Sequence, residues 1–179
     1  MKDQQNQVKH STAWTLSRLF ELLHYPLSGF SVISPANLQQ LFGVLLEGNK
    51  DAPNAAKKVC EAIYYIAQGF EDVESSSFDL TPYLIEIIAS LIATADRTDT
   101  TETTLRSSAY ETLNKVVRCA EVLETAQIIQ HPLLAVMNKM SHLPTDKEQQ
   151  GELQVFLYGV LQVIIQKPSK CDETRYSVL

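Results

Sequence analysis

Apolar residues recur at three- and four-residue spacing through almost the whole chain, and alternating runs long enough for strands are scarce. The pattern predicts helices and no sheet. Its punctuation agrees. Ser34-Pro35 places a cap before a proline at the first helical position, and "ANLQQLFGVLLEG" then runs to Gly48 as a stop. Thr81-Pro82 repeats that start before "YLIEIIASLIATA". A further helix is expected from near Glu124 towards Met140, kinked at Pro132.

Four segments rhyme. With Val8, Ala55, Leu105 and Leu153 as first positions, Leu16, Ile63, Leu113 and Leu161 fall at one core position. Leu19, Ile66, Val116 and Ile164 fall at the next, so the spacings are 47, 50 and 48 residues. A period slightly above 45 with two helices per unit points to HEAT-type helical hairpins; armadillo and TPR units are usually shorter. The expected fold is an all-α solenoid of HEAT (armadillo-like) repeats, about three and a half of them, over residues 1–167. The rhyming segments are inner, or B, helices at about 8–23, 54–69, 104–119 and 149–166. Outer A helices are expected at about 35–47, 82–95 and 125–140, and residues 168–179 form a tail that starts a further repeat. Each helix buries its apolar stripe only by stacking on neighbours. A chain that opens on an unpaired B helix and closes inside a repeat is therefore expected to self-associate through its ends or to fray there.

Length and composition narrow the class. The 179 residues suffice for one core, and 45% hydrophobic with 20% charged residues describes a globular chain. A net charge of −6 disfavours nucleic acid and anionic membrane and favours a basic partner. Cys60, Cys119 and Cys171 are dispersed and form no CxxC, which fits a reducing compartment without disulfides or a zinc site. No apolar run approaches the ~20 residues of a membrane span, and "MKDQQNQVKH" is no signal peptide. A soluble intracellular protein is expected.

Catalytic patterns are missing. His10, His24, His131 and His142 show no HxxxH or HExxH spacing, and neither GxSxG nor a phosphate-binding loop occurs. Cys60 sits beside the stripe Val59, Ile63 and Ile66, where a buried inert thiol is expected. "DRTDTTET" reads as a solvated loop. No catalysis, no cofactor and no metal are expected.

What remains is the polar side of the B helices. Advancing ~100° per residue along the first, Val8, Thr12, Leu16, Leu19 and Leu23 gather on one side. Trp14 projects nearly opposite, with Arg18 and Glu21 beside it. A large aromatic turned from its own stripe suits an interface, or packs on a neighbouring repeat. The equivalent positions are Glu61, Glu111 and Gly159, flanked by Lys57, Lys58, Tyr65 and Gln68, by Ser107, Ser108 and Lys115, and by Tyr158 and Gln162. One carboxylate alone is a solvated surface residue; Glu21, Glu61 and Glu111 recurring on one face suggest a binding strip.

Four stretches carry a resemblance: "VKHSTAWTLSRLFELLH", "KKVCEAIYYIAQGFED", "TLRSSAYETLNKVVRCAE" and "GELQVFLYGVLQVIIQK". With "ISPANLQQ" between the first two, they resemble consecutive B helices in the middle of the importin-β (karyopherin-β) family, above all its plant-type members. "LRSSAYE" and "AWT" are the specific motifs. The resemblance implies nuclear import: receptors about five times longer than this chain, wrapping the basic segment of importin-α or basic cargo and releasing it to Ran-GTP. It implies cytoplasmic and nuclear localisation, including the nuclear envelope, with Ran and nucleoporin contacts mostly through repeats outside this stretch. Trp14 then matches a family tryptophan and Glu111 a family glutamate, while a second family tryptophan is replaced by Glu61. A structural HEAT scaffold in a non-transport complex, or a shortened product with little activity of its own, are the alternatives.

Overall fold

A computed structural model describes residues 2–23, 35–71, 80–99 and 103–119, together with single helical positions between 134 and 165. Five helices follow one another: α1 (Lys2–Leu23), α2 (Pro35–Gly48), α3 (Pro53–Glu71), α4 (Thr81–Ala95) and α5 (Thr103–Cys119). Among the described residues no strand occurs. The expected kink at Pro132 and the tail after 167 lie outside the described residues.

The starts are only partly as expected. Proline opens α2 and α3, where its missing N–H costs nothing. At α4, however, Leu80 is the cap, itself in helical conformation and without a side-chain capping bond, so Thr81 lies inside the helix. The Tyr83 amide instead donates to the Leu80 carbonyl at 2.9 Å. α2 does stop at Gly48, where any Cβ would come within 2.9 Å of Val59 Cγ2; glycine lets the hairpin close on α3.

Packing makes two rows. The B helices stack as α1 on α3 on α5, while α2 leans on α3 and α4, and α4 on α5. Thr112 Oγ1 donates to the Cys60 carbonyl and Cys119 Sγ to the Ala67 carbonyl, each across 52 residues, so α3 and α5 run parallel. In the A row the Phe42 and Tyr83 rings lie 5.2 Å apart, and Asn49 Nδ2 donates to Ser90 Oγ at 3.0 Å across 41 residues. This is the HEAT-type α-solenoid that the fourfold register predicts. One core joins the rows: Phe42, Ile63, Ile66, Leu91, Tyr110, Leu113 and, from the last B segment, Leu157 are almost wholly buried.

The loops are stitched by polar groups. Asn49, buried between α2 and α3, also accepts a long 3.7 Å contact from the Cys60 thiol. Its carbonyl takes a 2.8 Å hydrogen bond from Arg97, whose guanidinium also meets Asp99. The first residues of "DRTDTTET" are thus not merely a solvated loop; Arg97 ties the A–B turn of one repeat to that of the next.

Helix α1 corrects the expected stripe. Ala13, Ser17 and Phe20 are its buried residues, whereas Val8 is 65% and Leu19 40% exposed, Thr12 is exposed and Leu16 only half-buried. The stripe was placed about a quarter turn off, because α1 packs sideways onto α3. The side bearing Val8, Thr12 and Leu16 lines a groove of about 540 Å³ shared with Val44 and Val59. Helix α1 also starts at Lys2 rather than near residue 8, and Gln5, Asn6 and Gln7 are exposed on it.

Candidate functional site

Among the described helices α3 packs against α1, α2 and α5, and α5 against α3 and α4, whereas α1 packs mainly against α3; each B helix keeps a side that none of these covers. On α3 the open side carries Asn54, Glu61, Tyr65 and Gln68, half-buried except for the exposed Asn54. On α5 it carries Thr104, Glu111 and Arg118, all exposed, with Lys115 half-buried. On α1 it carries Trp14, 49% exposed, with Arg18 and Glu21. Ser17 Oγ donates to the Trp14 carbonyl at 3.1 Å, which satisfies the one buried hydroxyl on the α1 side of the seam. The exposed Trp14 ring is not absorbed by its own repeat.

Register brings the three helices level. Tyr65 of α3 donates its phenolic hydrogen to Glu21 of α1. Two turns earlier on both helices, Lys58 therefore stands level with Trp14. Cys60 lies against Thr112, which sets Glu111 beside the same turn of α3. Trp14, the Lys58–Glu61 turn and Glu111 form one crosswise line over three helices. With helix axes packed about 8–10 Å apart, its ends are roughly 16–20 Å apart.

The strip is less acidic than its carboxylates suggest. Arg18 binds Glu21 one turn away, and Lys58 Nζ donates to both oxygens of Glu61 at 2.9 and 2.7 Å. Lys115 Nζ lies 5.5 Å above the Tyr64 ring, and Tyr64 meets Tyr65 edge-on at 5.5 Å. A chain of contacts thus runs from Arg18 through Glu21, Tyr65 and Tyr64 to Lys115, spanning α1, α3 and α5. Burial, then the Glu21 carboxylate that it faces and bonds, holds the Tyr65 phenol above its ordinary pKa. Glu111 is exposed and makes no ion pair or hydrogen bond among the described residues.

Tyr158 and Gln162 are also exposed, but their position differs. Tyr158 lies about a quarter turn from the strip, on the side that α3 and α5 use to meet the next B helix. Gln162 is at the strip's edge. Gly159 faces α5 closely: a Cβ there would stand 3.1 Å from Asn114 Nδ2. The sequence places Lys58 on the strip without pairing it to Glu61, and it does not single out Tyr64 as a platform. The Lys58–Glu61 spacing of three was legible as a helical ion pair; Tyr64 carried no signal beyond adjacency to Tyr65.

Among the described residues no group of His, Cys, Asp or Glu could hold a metal ion, and no helix is long and apolar enough to cross a membrane. Burial pushes the Cys60 thiol up to about 12, which makes it a poor nucleophile. Among the described residues the surface presents an open indole, a carboxylate without a partner, and charges already positioned by neighbours.

Comparison with known proteins agrees with this architecture. Residues 40–173 match a family model described as "Importin subunit beta-1-like, TPR repeats". The observed units, near 50 residues, exceed the ~34 of an ordinary TPR hairpin. Importin subunit beta-1 of Arabidopsis thaliana is 47% identical over 185 residues, covering 98% of this chain and 21% of that protein. The chain thus spans about a fifth of that relative's length. A repeat stack of this kind, matched over most of its length by family model and relative alike, belongs to the importin subunit beta-1-like family.

Proposed function

We propose that this chain serves as the partner-binding part of a nuclear import receptor, shuttling between cytoplasm and nucleus, and that it works by binding rather than catalysis. Its ligand is a basic helical segment, such as that of importin-α or a basic cargo, lying across α1, α3 and α5. The observation that supports this most is the crosswise line of Trp14, Glu61 and Glu111 on the uncovered side of successive repeats. Family membership supports the transport setting. Arg18, Glu21, Tyr65, Gln68 and Lys115 shape the strip; at the last B helix Gln162 borders it, and the exposed Tyr158 stands a quarter turn away, within reach of a ligand that runs past the strip's edge. Ran-GTP and nucleoporins would engage the receptor mostly through other repeats.

Recognition here is the sum of modest contacts. An exposed ion pair contributes about 0–1 kcal/mol, so affinity needs the indole anchor and several charges acting together. Titration calorimetry with a Lys/Arg-rich helical peptide, against a charge-scrambled peptide of the same composition, tests the reading. The ordered peptide should bind more tightly, with affinity falling as salt rises. Equal binding of both peptides, or none, refutes it.

A further inference from the structure

The Lys58–Glu61 pair stands in the middle of the proposed strip and is unusually shielded. Its side chains are 25% and 28% exposed, against 71% and 73% for the Lys50–Glu47 pair of the same sequence separation. Both carboxylate oxygens are occupied by one ammonium. Glu111, level with this turn, has no such internal partner among the described residues.

We propose that Lys58 is an internal competitor for the ligand's cations, holding the Glu61 carboxylate until a basic segment displaces it, and that the strip thereby selects arginine over lysine. This rests on reading the strip as a basic-segment site. An incoming lysine exchanges one ammonium for another at Glu61 and gains little. A guanidinium presents a planar fork that takes both oxygens in parallel, and the neighbouring Trp14 face offers it a stacking surface. The displaced Lys58 loses little, because its flexible stem can carry the ammonium to water on the open strip. Glu111 needs no displacement and should accept either cation.

The test uses the full chain, an arginine-rich helical peptide and its all-lysine counterpart. Wild-type protein should prefer the arginine peptide. Lys58→Gln should tighten the lysine peptide by about two- to five-fold, the scale of one exposed pair, and the arginine peptide less. Lys57→Gln makes the same charge change without an ion pair to break among the described residues, and should tighten binding less than Lys58→Gln. In a Glu61→Gln background the gain from Lys58→Gln should shrink to that of Lys57→Gln, since only the general charge effect is then left. Lys58→Met, checked by circular dichroism, repeats the measurement with the stem's packing kept. Equal binding of the two peptides to wild type, a tightening by Lys58→Gln no larger than that by Lys57→Gln, or a Lys58→Gln gain undiminished by Glu61→Gln would overturn the inference while leaving the binding strip standing. Failure of both peptides to bind every variant would overturn the inference and the proposed function together.

Discussion

Thr112 Oγ1 donates a 3.0 Å hydrogen bond to the Cys60 carbonyl, reaching from one helix into the backbone of the next. Seven residues on, Cys119 Sγ makes the same contact with the Ala67 carbonyl. Ala56, Cys60 and Ala67 are small and almost wholly buried, so α5 can approach closely enough for a short side chain to touch backbone. The two contacts lock the register that sets Glu111 beside Glu61.

Replacing Thr112 by Val keeps the shape and removes the hydroxyl. The Cys60 carbonyl retains its place in α3, so the loss should be that of one buried hydrogen bond, about 0.5–1.5 kcal/mol. Urea denaturation followed by circular dichroism would show it as a lower midpoint at constant slope. Unchanged stability would mean that packing alone holds the register.

Gly48 permits the close approach of α2 to α3. Gly48→Ala should destabilise the fold by about 1–2 kcal/mol despite the better helix propensity of alanine, because its Cβ meets the buried Val59 side chain. Val59→Ala opens that space but leaves a cavity of its own. In a double-mutant cycle the two changes should cost less together than their sum. Additive costs would place the strain elsewhere.

Alkali should loosen the stack before acid chemistry is relevant to these groups. The Cys60 thiol is raised from 9.0 to about 12 and the Tyr110 phenol from 10.0 to about 12, both chiefly by burial. Folded-state pKa values above the unfolded ones mean that the folded chain keeps its protons longer. This stability is complete below pH 9 and is lost as pH rises from 9 towards 12, by up to about 1.4 kcal/mol per pH unit for each group. Thermal melts between pH 8 and 11 should show the decline beginning near 9 in the wild type and near 10 in Cys60→Ala. The same onset in both would exclude the thiol.

Trp14 and Glu111 should separate binding from folding. Both are exposed, so Trp14→Ala and Glu111→Lys should alter stability by no more than about 0.5 kcal/mol. Affinity for a basic helical peptide should fall about ten-fold for the tryptophan and a few-fold for the glutamate. Calorimetry beside thermal melts distinguishes the effects; a large drop in melting temperature for Trp14→Ala would make the ring a packing residue.

Periodicity alone determined that this chain is helical, that its units repeat at 47 to 50 residues, and that Trp14, Glu61 and Glu111 share one helical phase. Those features are local: a helix turns ~100° per residue whatever surrounds it. Only the tertiary structure decided which sides of that helix meet a neighbour. In α3 and α5 the stripe read from the sequence is the buried one, because helices flank them on both sides. In α1 the packed side is Ala13, Ser17 and Phe20, while Val8 and Leu19 stay exposed, since burial is conferred by the neighbour and not by the residue. Contact separations of 41 in one row and 52 in the other likewise differ from the sequence period, because touching residues occupy opposite sides of adjacent helices. The charge of the strip was decided in the same way. Glu21 and Glu61 read as free carboxylates until side-chain geometry closed Arg18 and Lys58 upon them, leaving Glu111 open among the described residues.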